Sequence, residues 1–87
     1  RANDLAADAD LPEADTKLLT ELRALRLSFA KERGVPAYVV FTDRTLVDMA
    51  RRKPGTIDDF AEVHGVGATK LRDFADIFLT VVNKPAE

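Results

Sequence analysis

At 87 residues the chain has room for one small domain, and 46% apolar with 32% charged residues is the balance of a folded globular unit. The absence of cysteine excludes disulfides, thiolate metal sites and thiol nucleophiles. A formal charge of −2 argues neither for nor against a polyanionic partner, and no apolar run approaches the roughly 20 residues that span a bilayer. The first residue is Arg1 rather than Met, so the chain is expected to be a piece of a longer protein. A piece of this size is expected to be a binding module rather than a complete enzyme.

Residues 1–15 set Arg1 against Asp4, Asp8, Asp10, Glu13 and Asp15 and offer only Leu5 and Leu11 as sizeable apolar groups. Such a segment cannot offset its ordering entropy by burial, so it reads as an acidic, disordered linker. A folded domain is expected over 16–83, with 84–87 as a tail. The first helix is predicted from Asp15 or Thr16 to Gly34. Leu18, Leu22, Leu25 and Phe29 form its apolar stripe, with Leu19 and Ala30 on the shoulder and Leu27 on the opposite face. Gly34 and Pro36 end it. The run Val35 to Phe41 is rich in β-branched residues but has no second strand to pair with, and is expected to be an extended connection across a helical core.

Thr42 and Asp43 read as caps for a second helix, Arg44 to about Arg52. Leu46, Met49 and Ala50 would face inward there, and Arg44, Asp48, Arg51 and Arg52 outward. Lys53-Pro54-Gly55 stops it. Thr56 and Asp59 resemble a capping box opening a third helix through about Val63, with Ile57, Phe60 and Ala61 as its buried side. After the turn Gly65-Val66-Gly67, the positions Leu71, Phe74, Ala75, Phe78, Leu79 and Val82 repeat at helical spacing. The fold class predicted is all-α, a compact bundle of four to five short helices.

Catalysis has little to work with. His64 is the only imidazole and has no Ser or Cys near it to activate, while Asp58 and Asp59 occupy a helix first turn, where carboxylates meet the dipole favourably. No catalytic residue, metal site or cofactor is expected. Binding has more. Val63-His64-Gly65-Val66-Gly67 before a helix resembles the hairpin of helix-hairpin-helix DNA-binding modules, although Leu71 stands where that motif usually has Ala. Gly65 and Gly67 would let the backbone approach a phosphate, with Lys70 adding charge one turn in. The alternative is that these glycines only let two helices pack closely.

The charge is arranged in blocks. Residues 16–53 hold nine Lys or Arg against four acids, flanked by acidic segments on both sides. Lys31, Arg33, Arg44, Arg51 and Arg52 come from this block and are candidates for a nucleic-acid patch, or else a solvated face. Arg26 lies close to the apolar stripe and is expected to bond a helix end or an acid inside the fold. Tyr38, the only tyrosine, lies in the connecting run beside the basic helix ends. It could stack on an unpaired base, or lie half-buried with its hydroxyl in water.

The segments L-R-A-L-R (22–26), G-V-P-A-Y-V-V-F-T-D (34–43), T-L-V-D-M-A (45–50), Pro54 and G-V-G-A-T-K-L (65–71) together resemble an HRDC domain, the helicase and RNase D C-terminal module, in the form found in bacterial RecQ helicases. The resemblance covers roughly 16–83. It implies a helical bundle that positions a helicase on single-stranded or branched DNA, with ATP hydrolysis elsewhere in the parent chain and Tyr38 as a DNA contact. It also implies contacts with other domains of that helicase, a monomeric isolated domain, a cytoplasmic, DNA-associated setting and no membrane. Two departures stand out. Ala75 replaces a common Gly, leaving open whether the last helix is broken or runs from Ala68 to Asn83, and Leu27 is apolar where relatives are often basic. A competing reading is a protein-interaction or interdomain-docking module that uses Leu27, the acidic third helix and the apolar connection. An RNase D setting with RNA as ligand is a third.

Overall fold

The structure, a computed structural model, describes residues 13–84. Five helices lie within them: α1 (Glu13–Arg33), α2 (Ala37–Val40), α3 (Asp43–Arg52), α4 (Ile57–Ala61) and α5 (Ala68–Val82), with no strand among the described residues. The linker expected over the first residues falls, for 1–12, outside the described ones. α1 begins at Glu13, slightly before the predicted start.

Leu19, Leu22 and Ala30 are the buried apolar residues of α1, and Leu18, Leu25 and Phe29 are only partly so. The predicted stripe is therefore rotated toward what was its shoulder, because α1 packs against α2, α3 and α5 together and needs a wide face. Gly34, at φ 68°, closes α1 with its N–H on the Lys31 carbonyl at 3.2 Å and the Val35 N–H on Ala30 at 3.0 Å. That is a Schellman ending, and its left-handed residue is readily tolerated as glycine.

The segment expected to be extended instead makes one helical turn, α2. Pro36 presets its entry at φ −63°, and the Phe41 N–H returns to the Ala37 carbonyl at 3.4 Å. The expectation that this run crosses the core holds for its end, where Val40 and Phe41 are buried. α3 starts as predicted on Thr42, whose hydroxyl accepts the Thr45 N–H at 3.2 Å, although Asp43 is already helical. Its left-handed cap is Lys53 itself, at φ 47°, with the ammonium ion-paired to the buried carboxylate of Asp15. α4 is capped by Thr56, which accepts the Asp59 N–H at 3.1 Å. It ends at Ala61, earlier than expected. Phe60 is buried, but Ile57 is 49% exposed and Ala61 is exposed, against the predicted inner face. A helix this short seats one large side chain, and the next buried residue, Val63, comes from the turn that follows.

α5 is continuous through Ala75, which is buried among the core residues. Alanine keeps helical propensity where glycine would weaken it. Asn83 closes α5 with its amide donating to Leu79 at 2.9 Å and to Pro54 at 3.0 Å, which ties the helix end to the break after α3. All five phenylalanines join in one ring network: Phe41 meets Phe78 at 5.0 Å, Phe74 at 5.5 Å and Phe60 at 6.3 Å, and Phe29 meets Phe74 at 5.1 Å.

Candidate nucleic-acid interface

In the single turn of α2 the chain divides its side chains cleanly. Val40 and the following Phe41 go into the core, while Tyr38 is 68% exposed and Val39 45% exposed. The buried pair anchors the exposed pair. Lys70, on the first turn of α5, reaches back so that its ammonium donates to the Val39 carbonyl at 2.6 Å and the Val40 carbonyl at 2.7 Å. These oxygens belong to a helix end with no intrahelical partners for them, and a cation there also meets the negative end of the peptide dipoles. The same ammonium lies 5.5 Å from the centre of the Phe41 ring.

A cleft of about 250 Å³ opens between α2 and α5, lined by Arg33, Val35, Val39, Val40, Thr69, Lys70, Asp73 and Phe74. The Arg33 guanidinium sits 4.9 Å from the centre of the Phe74 ring, which places a planar cation at its edge.

A second depression, of about 330 Å³, is formed by Arg44, Asp48, Arg51 and Arg52 of α3 with His64 of the hairpin. Asp48 organises it: one carboxylate oxygen accepts the Arg52 Nε–H and the His64 backbone N–H, each at 2.8 Å. The hairpin is held close at Gly65, whose φ is 81° and whose missing Cβ would come within 2.5 Å of the Thr45 hydroxyl. Gly67 differs: its φ is −97° and a Cβ there would meet nothing within 4 Å. Close helix packing thus accounts for Gly65 and not for Gly67.

The model of the HRDC domain family matches residues 15–82. The chain belongs to the HRDC family. It is 38% identical over 74 residues to the ATP-dependent DNA helicase RecQ of Pasteurella multocida, a match covering 85% of this chain and 12% of that helicase. It is 43% identical over 70 residues to the ATP-dependent DNA helicase UvrD2 of Mycobacterium bovis, covering 80% of this chain and 10% of the relative. The chain therefore spans about an eighth or less of the helicases it matches. Among solved structures, D. radiodurans RecQ HRDC domain 3 superposes with a TM-score of 0.77 at 38% identity, covering 79% of this chain and 91% of that one.

In this HRDC domain the residues singled out from sequence fall into two groups. Arg33 and Lys70 line the α2–α5 cleft, Tyr38 is exposed on the α2 turn that contributes Val39 to it, and Arg44, Arg51 and Arg52 lie at the α3 depression with the Gly65–Gly67 hairpin alongside. Lys31 is exposed on the last turn of α1. Arg26 does what its position predicted, donating to the Phe41 carbonyl at 3.0 Å and pairing with Asp43 at 2.8 Å. Acids claim part of the basic block, with Asp48 on Arg52 and Asp43 on Arg26. Sequence reasoning passed over Val39, Thr69 and Asp73 as cleft residues. The one available signal was the four-residue spacing of Thr69 and Asp73, which puts both on one face of α5.

Proposed function

We propose that this HRDC domain is an auxiliary nucleic-acid-binding module of an ATP-dependent DNA helicase of RecQ type, holding single-stranded or branched DNA weakly to position the motor. The observation that carries this reading is Tyr38, an aromatic ring two-thirds in solvent on a turn fixed from beneath by Val40, Phe41 and Lys70. A ring held this way stacks on a base at little ordering cost. Arg33 at the α2–α5 cleft and Arg44, Arg51 and Arg52 on the α3 face supply phosphate contacts, with Lys31 and the backbone N–H groups after Gly65 and Gly67 as further ones. Lys70 contributes by holding α2 in place. The isolated domain acts as a monomer without a cofactor, and the parent works on DNA in the bacterial cytoplasm. Among the described residues no helix is long and apolar enough to cross a membrane. The likeness to UvrD2 makes a helicase of that kind an alternative parent with the same role for this domain.

The test is Tyr38→Ala, followed by fluorescence anisotropy with a short single-stranded oligonucleotide at low salt. Loss of one stacked base, about 1–3 kcal/mol, predicts affinity at least about fivefold lower. Folding stability should change by no more than about 0.5 kcal/mol, as for an exposed side chain. Unchanged affinity removes the stacking role. A docking role finds its support in Leu27, 49% exposed on the outer face of α1. It predicts that Leu27→Ser weakens contact with the remaining helicase domains and leaves oligonucleotide binding intact.

A further inference from the structure

The α2–α5 cleft joins an apolar slot to a polar wall. Val35, Val39 and Phe74 supply the slot, and Thr69 and Asp73, one turn apart on α5, add a hydroxyl and a carboxylate. Its volume of about 250 Å³, just below the roughly 300–1,000 Å³ typical of drug-sized ligand pockets, has room for a single planar heterocycle. Arg33, over Phe74 at 4.9 Å, sets positive charge beside the apolar surface. That charge suits a guest with a flat π-face and an attached anion, which is the description of a nucleotide. Lys70 also lines the cleft, its ammonium held on the Val39 and Val40 carbonyls. The Asp73 contact to the Arg72 Nε–H, at 3.3 Å, uses Oδ1 and leaves Oδ2 for a guest.

We propose that this cleft is a nucleobase pocket that admits one unpaired base, its strand neighbour stacking on Tyr38, and that Asp73 selects bases bearing an exocyclic amino group. The inference rests on the DNA-binding reading above and adds a base preference to it. A carboxylate accepts from the amino group of cytosine or adenine, whereas thymine turns a carbonyl oxygen toward it at the same edge. Two like acceptors facing each other form no hydrogen bond and repel, whereas the amino group gains a charge-assisted one.

The experiment compares oligodeoxycytidylate with oligothymidylate of equal length by anisotropy at low salt, with helicity checked for each variant. The unaltered domain is expected to bind the cytosine strand about fivefold more tightly, near the low end of discrimination by a base-edge contact. Asp73→Asn removes the preference. Val39→Lys fills the slot with a cation, so both strands bind equally while overall affinity is retained. Equal affinities in the unaltered domain overturn the pocket and leave DNA binding standing. No binding of either strand overturns the DNA-binding reading and the pocket with it. A second measurement follows the methyl resonances of Val35 and Val39 on addition of deoxycytidine or thymidine monophosphate. Shifts at lower concentration of the cytidine nucleotide support the pocket, and no shift with either overturns it.

Discussion

Lys70 and Arg26 carry charges that a count along the chain would assign to a basic surface, yet both cap carbonyl oxygens at α2 and its exit. Their partners lie 30 and 15 residues away in the chain, so no local pattern could reveal the Lys70 contact. Arg26 was legible because its spacing placed it against the apolar stripe, where a charge has to be paired. The consequence is a contrast between two lysines. Lys70→Met removes two charge-assisted hydrogen bonds and is expected to cost about 1–3 kcal/mol. Lys31→Met, on an exposed helix end, is expected to change stability by less than about 0.5 kcal/mol. Urea unfolding of the two variants measures the difference, and equal midpoints would contradict the capping role.

Long periodicity and side-chain caps were readable in advance: the inner residues of α5, and the Thr42 and Thr56 caps of α3 and α4. α2 was not. Tyr38-Val39-Val40 has the composition of a strand, and what turns it into a helix is tertiary contact, the burial of Val40 with Phe41 and the clasp of Lys70. α4 was misjudged for a related reason, since periodicity over five residues does not determine which side meets the core. The hairpin gives a test at this level. Gly65→Ala must adopt a left-handed φ and push on Thr45, costing about 2–3 kcal/mol. That corresponds to about 8–24 °C in melting temperature for a domain of this size. Gly67→Ala should melt near the parent temperature. A Gly67→Ala variant as unstable as Gly65→Ala would show that the hairpin packs differently.

Over the whole molecule, the formal charge of −2 conceals a basic middle section, of which the fold sets Arg33 at the cleft, Arg44, Arg51 and Arg52 on the α3 face, and Arg26 and Lys53 in internal ion pairs. Three or four phosphates neutralised on a single strand give a log K against log salt slope of about −2 to −3. A flat response in binding measurements would exclude the electrostatic component. Net charge could not have shown this division, because it depends on which helices meet. The ring network carries a further consequence. Phe41 follows directly on α2 and touches rings of α4 and α5, so the turn that displays Tyr38 cannot lift away without opening the centre of the domain. The backbone amides of Val40 and Phe41 are therefore expected to exchange with deuterium only through global unfolding, at the rate of the slowest amides in α5. A surface segment that would otherwise fray is thereby as long-lived as the core.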